Sequence, residues 1–486
     1  MTGRSTTRIV VSNTVWRFVA FGARTISGLV AVVLLARSGG PASLGLYQLA
    51  LTLTMMVQFL AALGLTNFLS RELSRRPQDL RQWVEGGLFW SFVASVIVGV
   101  LLTLGTGLFH GVPQLVNVVF LASIALVFDV LSRMLFSVTW AWERMGLEAA
   151  GTAFQEICFV IGTVAALHAG GGVVSVMLAY LISRVLGAIA AWWTISRVGR
   201  ALYVPRPHTE FWRPVLRRTI PFALDDGLSL TYIRVDTVLL GIFKGTRAVG
   251  LYQAGTNLVL YMNVLARMLN LSLYARMSKA WPDQPARLGR LRDASLRLLG
   301  AVSMPITVGS LLLAPRLIPG IYGPKFDNAV FCYQLLVLVI PIRMLGHTLG
   351  TALTAADGQT PRTVVVGAAA AANIALNLYF VPQWSYIGAA ITTGITETGV
   401  YLAYAVLLRR RIGPSRAGAA VFVPGLACLP MAAALVATRH SNFVLSGLVG
   451  AAAYGAALLV IAMSRATGTS RGRPERAILG YVRAGL

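Results

Sequence analysis

Fourteen apolar runs of about twenty residues recur between residues 13 and 464, joined by short polar connections. A hydrocarbon core of about 30 Å needs roughly 20 helical residues per crossing. Within it every backbone N–H and C=O must be satisfied inside the spanning element, so helices are the economical solution. The pattern therefore predicts an all-α polytopic membrane protein with about 14 transmembrane helices. Charged residues make up 12% of the chain, where soluble domains carry about 25%.

A net charge of +25 would suit a nucleic-acid binder, but its placement argues for a membrane. Of the 42 Lys and Arg, 29 fall in alternate loops and termini, 6 in the opposite loops and 7 inside spans. That asymmetry is the positive-inside pattern; it predicts a multi-pass protein of the cell (cytoplasmic) membrane with both termini cytoplasmic. The basic loops then lie against anionic membrane lipids, and no nucleic acid is needed. Cys158, Cys332 and Cys428 all fall in apolar runs without a CxxC pattern and read as small core residues. Arg4 and Arg8 before an apolar run resemble a secretory leader, but the run is too long for one and reads as a retained span.

Gly45-Leu46-Tyr47-Gln48, opening the second run, recurs 205 residues later as Gly250-Leu251-Tyr252-Gln253, opening the eighth. Six spans per repeat keep both halves in one orientation, related by an axis along the membrane normal. The expected organisation is a six-helix bundle over residues 1–197 and a basic cytoplasmic linker over 198–216. A second six-helix bundle follows over 217–408, then two extra helices and a basic tail over 409–486. The two bundles are expected to enclose a central cleft.

The first run, Asn13 to Ala36, carries Arg17 and Arg24, seven residues apart and so on one helical stripe. An arginine at mid-membrane costs about 2.5–3.5 kcal/mol on insertion scales. The stripe is thus expected to face a watery cleft holding an anionic cargo, although Arg17, one turn in, could instead snorkel to the surface. In the seventh run Asp225, Asp226, Arg234 and Asp236 cluster, and the aspartates are candidates for ion coupling or charge balance. Arg234 and Arg343 join Arg17 and Arg24 as expected substrate-binding residues. Arg343 follows Pro341, where a broken helix could open its backbone to the cleft. Asp129 and Arg133, four apart, are expected to pair with each other. Arginines in excess of acids suit phosphate, whose oxygens match the guanidinium fork. No Walker A, HExxH or His/Cys cluster is present, so neither an enzyme nor a metal or cofactor site is expected.

The segment Leu35–Leu73 resembles the polysaccharide/oligosaccharide flippase family in its Gly39-Gly40-Pro41 loop, Gly45-Leu46-Tyr47, Leu63-Gly64-Leu65 and Arg71-Glu72. The resemblance implies the fold of the multidrug and toxic compound extrusion proteins, two six-helix bundles around a V-shaped cleft. It also implies a flippase carrying undecaprenyl-pyrophosphate-linked oligosaccharide from the cytoplasmic to the outer leaflet by alternating access. A polysaccharide polymerase or glycosyltransferases would be its protein partners. A cation-coupled multidrug antiporter and a peptidoglycan-precursor flippase remain as alternatives.

Overall fold

The computed structural model describes residues 3–65, 69, 80–108, 113–415, 417–439 and 441–469, with some helical side chains, such as those of 221–226, outside that description. Among the described residues all regular structure is helical. In order come α1 (Gly3–Ala62), α2 (Leu80–Gly105), α3 (Pro113–Ala141), α4 (Met145–His168), α5 (Val173–Gly199) and α6 (Thr209–Ala280). They are followed by α7 (Pro285–Tyr322), α8 (Ala329–Ala355), α9 (Gln359–Ile412), α10 (Ala417–Ala437) and α11 (Phe443–Thr469). All eleven are long and apolar enough to cross a membrane.

Three of them are too long for one crossing. Helices α1, α6 and α9 run for 60, 72 and 54 residues, and 60 residues at 1.5 Å each span about 90 Å. Each is interrupted by non-helical backbone: at Gly40 (φ 74°), Gly245 (φ 74°) and Ser385 (φ 52°). Gly40 and Gly245 stand 205 residues apart, the same offset as the GLYQ repeat. The repeat is therefore written in the backbone as well as in the side chains: a left-handed residue that glycine adopts without strain, then the same four residues. Eleven helices and fourteen apolar runs differ because such kinks carry the helix on from one run into the next.

The chain divides into two compact units, Met1–Gly250 and Leu251–Leu486. In the N-terminal unit α3 packs on α2 and α5, and α4 packs on α1 and α5. Trp83, Leu88, Met134, Phe136, Ile195 and Tyr203 form one buried cluster. Through it the segment after α5 is held in place. Tyr203 is buried, its carbonyl accepts from Trp192 Nε1 at 3.0 Å, and Pro207 O accepts from Trp90 Nε1 at 3.2 Å. The start of the expected linker is a docked strap.

In the C-terminal unit α8 packs between α7 and α9, and α10 lies on α7 and α11. Tyr454 of α11 donates to Ala301 O of α7 at 2.6 Å, so the last two helices are built into this unit through α7. Arg292, 2% exposed, donates to Gly413 O and Pro414 O and so fixes the turn from α9 to α10.

Candidate functional site

The charged side chains of the N-terminal unit converge from four helices. On α3, Asp129 and Arg133 are four residues apart and share a face, and Arg133 Nε meets Asp129 Oδ2 at 2.8 Å. Helix α4 brings Gln155 and Glu156, and α5 brings Arg184, 6% exposed, whose guanidinium stacks 4.3 Å from the Tyr180 ring one turn away. Helix α1 contributes Arg24 and Ser27 from its first half and Gln58 from its second.

The two carboxylates are fully engaged. Glu156 accepts from Arg184 Nη1 at 2.8 Å and from the Ser27 hydroxyl at 2.5 Å. Asp129 accepts from Arg133 and from Gln58 Nε2 at 2.9 Å, with Arg184 Nη1 3.9 Å away. Both acids are buried, which they tolerate only because each is paired and hydrogen-bonded.

Arg24 is different. It lies within electrostatic reach of Asp129, Arg133, Glu156 and Arg184, yet it makes no ion pair with the described residues, and its buried Nε has no hydrogen-bond partner. Arg24, Arg133 and Arg184 stand against Asp129 and Glu156, so the cluster carries one positive charge in excess. A guanidinium presents five N–H donors and no acceptor. Leaving a buried donor of this kind without an acceptor is costly.

Arg17 has other surroundings. It is exposed, with its Cζ 4.6 Å from the Trp140 ring centroid at the end of α3, and Trp140 Nε1 donates to Glu148 at 2.5 Å. Asp236 is buried and accepts from the Thr237 amide at 2.6 Å and the Thr237 hydroxyl at 3.2 Å, while Arg234 is half-buried. The side chains of Asp225 and Asp226 lie outside the described residues. Arg343 is in the C-terminal unit, where its Nε and Nη2 both donate to Glu397 Oε1, at 2.9 and 2.7 Å. Helix α8 continues through Pro341, so no break exposes backbone there.

The Asp129–Arg133 pair was legible from spacing alone. Glu156 with Arg184, 28 residues apart, was not, because only packing decides which helix faces which. Ser27, Gln58 and Gln155 carry no charge, and the signal that marks them in the sequence is a polar side chain inside an apolar run.

The model of the family described as "Polysaccharide biosynthesis protein" matches residues 10–281, just over half of the chain. Over 179 residues the chain is 27% identical to the "Probable flippase AglR" of Haloferax volcanii, covering 36% of this chain and 37% of that protein. Over 339 residues it is 22% identical to the "Lipopolysaccharide biosynthesis protein WzxC" of Escherichia coli K12, covering 68% of this chain and 66% of that one. The matches thus span about two fifths and just under two thirds of those relatives. In fold the chain is similar to the lipid II flippase MurJ in an inward closed conformation, with a TM-score of 0.74 at 16% identity, over 92% of this chain and 98% of that one. The family match, over more than half of the chain, places it in the polysaccharide biosynthesis protein family.

Proposed function

We propose that the chain is a flippase, not an enzyme, moving undecaprenyl-pyrophosphate-linked oligosaccharide from the cytoplasmic to the outer leaflet by alternating access. The observation that carries this reading is Arg24. Among the described residues of its cluster it is the guanidinium with no carboxylate bonded to it, while its neighbours Arg133 and Arg184 are paired with Asp129 and Glu156. The excess charge is thus concentrated on one side chain, and a pyrophosphate offers it several acceptor oxygens. The saturated cluster around it keeps Arg24 from collapsing onto an internal acid, which would remove the site. Family membership supports transport of a lipid-linked sugar, and two proteins that the chain resembles bear the word flippase in their names.

On this reading α1, α6 and α9 each cross twice, which yields fourteen crossings and cytoplasmic termini. Arg17 and Arg234 are further proposed contacts along the cargo's path, with Asp225, Asp226 and Asp236 balancing charge. Arg343 would have to leave Glu397 to take part. Deleting the gene should trap lipid-linked glycan on the cytoplasmic leaflet. Complementation with Arg24→Ala should restore membrane insertion without restoring export. Normal export by that variant would overturn the reading.

A further inference from the structure

The C-terminal unit holds a cavity of about 290 Å³ among α6, α8 and α9, lined by Arg267, Tyr274, His347, Thr351, Thr354 and Arg362 with Asn270 and Leu271. That volume is at the lower edge of the range of about 300–1,000 Å³ seen for small-molecule sites. Its lining carries two guanidiniums and an imidazole and, among the described residues, no carboxylate.

The two arginines arrive from different helices and are held differently. Arg362 Nη1 donates to Thr354 Oγ1 at 3.2 Å, that hydroxyl donates to Gly350 O at 3.1 Å, and the guanidinium also hydrogen-bonds the Tyr404 side chain, so it is held in place at the wall of the cavity. Arg267 is exposed and makes no hydrogen bond or ion pair with the described residues. His347, one turn before Thr351, is exposed in the same cavity and offers a ring N–H in either charge state. The nearby acid is Glu397, and Arg343 already holds its Oε1 with two N–H groups. Cations converging on a cavity without an acid repel one another, and an anion with several acceptor oxygens removes that repulsion.

We propose that this cavity is a second phosphate-binding site, contained within the C-terminal unit and independent of Arg24. Its ligand is a phosphate or pyrophosphate group, either free or on a lipid. Leu271, 77% exposed at its rim, gives an apolar surface beside the cationic pocket, as the chain of a phospholipid or polyprenyl anion would use. The site stands whether or not Arg24 handles cargo.

The test uses the full-length protein in an Arg24→Gln background, so that the first cluster cannot contribute. Inorganic pyrophosphate is titrated calorimetrically, and phosphatidylglycerol retention is read by native mass spectrometry from nanodiscs with and without that lipid. Arg267→Gln with Arg362→Gln should weaken one of these ligands at least about tenfold, since each lost bond is charge-assisted. Arg267→Lys should recover part of the loss, which a misfolded protein could not do. Arginine-dependent pyrophosphate binding identifies a free or cargo pyrophosphate. Arginine-dependent lipid retention alone identifies a bilayer headgroup. If both ligands bind the double variant as they bind its parent, the proposal is wrong.

Discussion

Gly45 and Gly250 meet backbone to backbone within the N-terminal unit: a methyl group on Gly45 would overlap Thr246 O, and one on Gly250 would overlap Pro41 O. The two overlaps are one contact seen twice, because Pro41 and Thr246 are themselves 205 residues apart. Each repeat thus supplies a kink glycine, a carbonyl four residues before the GLYQ glycine, and the glycine that this carbonyl's mate requires. A backbone carbonyl cannot rotate away as a flexible side chain can. Gly45→Val or Gly250→Val should therefore lower stability by about 1–3 kcal/mol or more, the usual range for overpacking. Gly22→Ala is the control, since nothing lies within 4 Å of its added Cβ. Thermal unfolding in detergent decides; a Gly45→Val protein that melts with Gly22→Ala would show that the crossing relaxes freely.

Arg24 and Arg184 sit in one cluster but should respond oppositely to neutralisation. Removing Arg184 strips Glu156 of its ion pair and Asp129 of a nearby cation, leaving buried carboxylate charge uncompensated. Losing one partner of a buried pair typically costs about 3–5 kcal/mol. Arg24→Gln removes a cation that no acid holds, so its stability should equal or exceed that of the parent. Denaturation of the two variants side by side checks this. Equal losses would mean that Arg24 is a structural member of the network.

The sequence made the membrane fold plain because its signal is redundant: many apolar runs, charge asymmetry and a repeat all point one way. The kink positions were half legible. Gly40 lies in the small-residue loop before the first GLYQ, but Ser385, with its φ of 52°, carries no residue preference that would announce it. Charges were legible as a set and not as pairs. Arg24, Arg184 and Arg343 look alike in sequence, each an arginine deep in an apolar run. Only the packing of α4 beside α5, and of α8 beside α9, gives the latter two a carboxylate and leaves Arg24 without one.

The strap after α5 is held by two indole N–H bonds, one buried tyrosine and the contacts of Arg206 and His208 with Glu85 of α2, and the indole bonds can be tested singly. Trp90→Phe keeps an aromatic ring, smaller than the indole, and removes the bond to Pro207 O, worth about 0.5–1.5 kcal/mol net. Opening of the strap should rise roughly threefold to tenfold. Arg200, exposed at the end of α5, makes this visible as faster tryptic cleavage after that residue. Tyr203→Ala should act more strongly, because it empties a place in the cluster with Trp83 and Phe136. Unchanged cleavage in both variants would show that other contacts hold the strap.

Arg343 and Glu397 allow a sharper division between holding the fold and handling cargo. Both N–H bonds from Arg343 end on one carboxylate oxygen, between α8 and α9, so the pair ties two helices of the same unit. Arg343→Met alone leaves a half-buried carboxylate, and Glu397→Leu alone leaves a half-buried guanidinium; each should cost about 3–5 kcal/mol. The double variant removes both charges together, and apolar replacement of a buried pair is often neutral or stabilising. We expect it to melt within about 1 kcal/mol of the parent and to support export, because the guanidinium is already committed to Glu397. That result would assign Arg343 to the tie and withdraw it from the cargo path. A double variant that is stable yet fails to export would do the reverse: it would require Arg343 to leave Glu397 during transport and bond the passing anion.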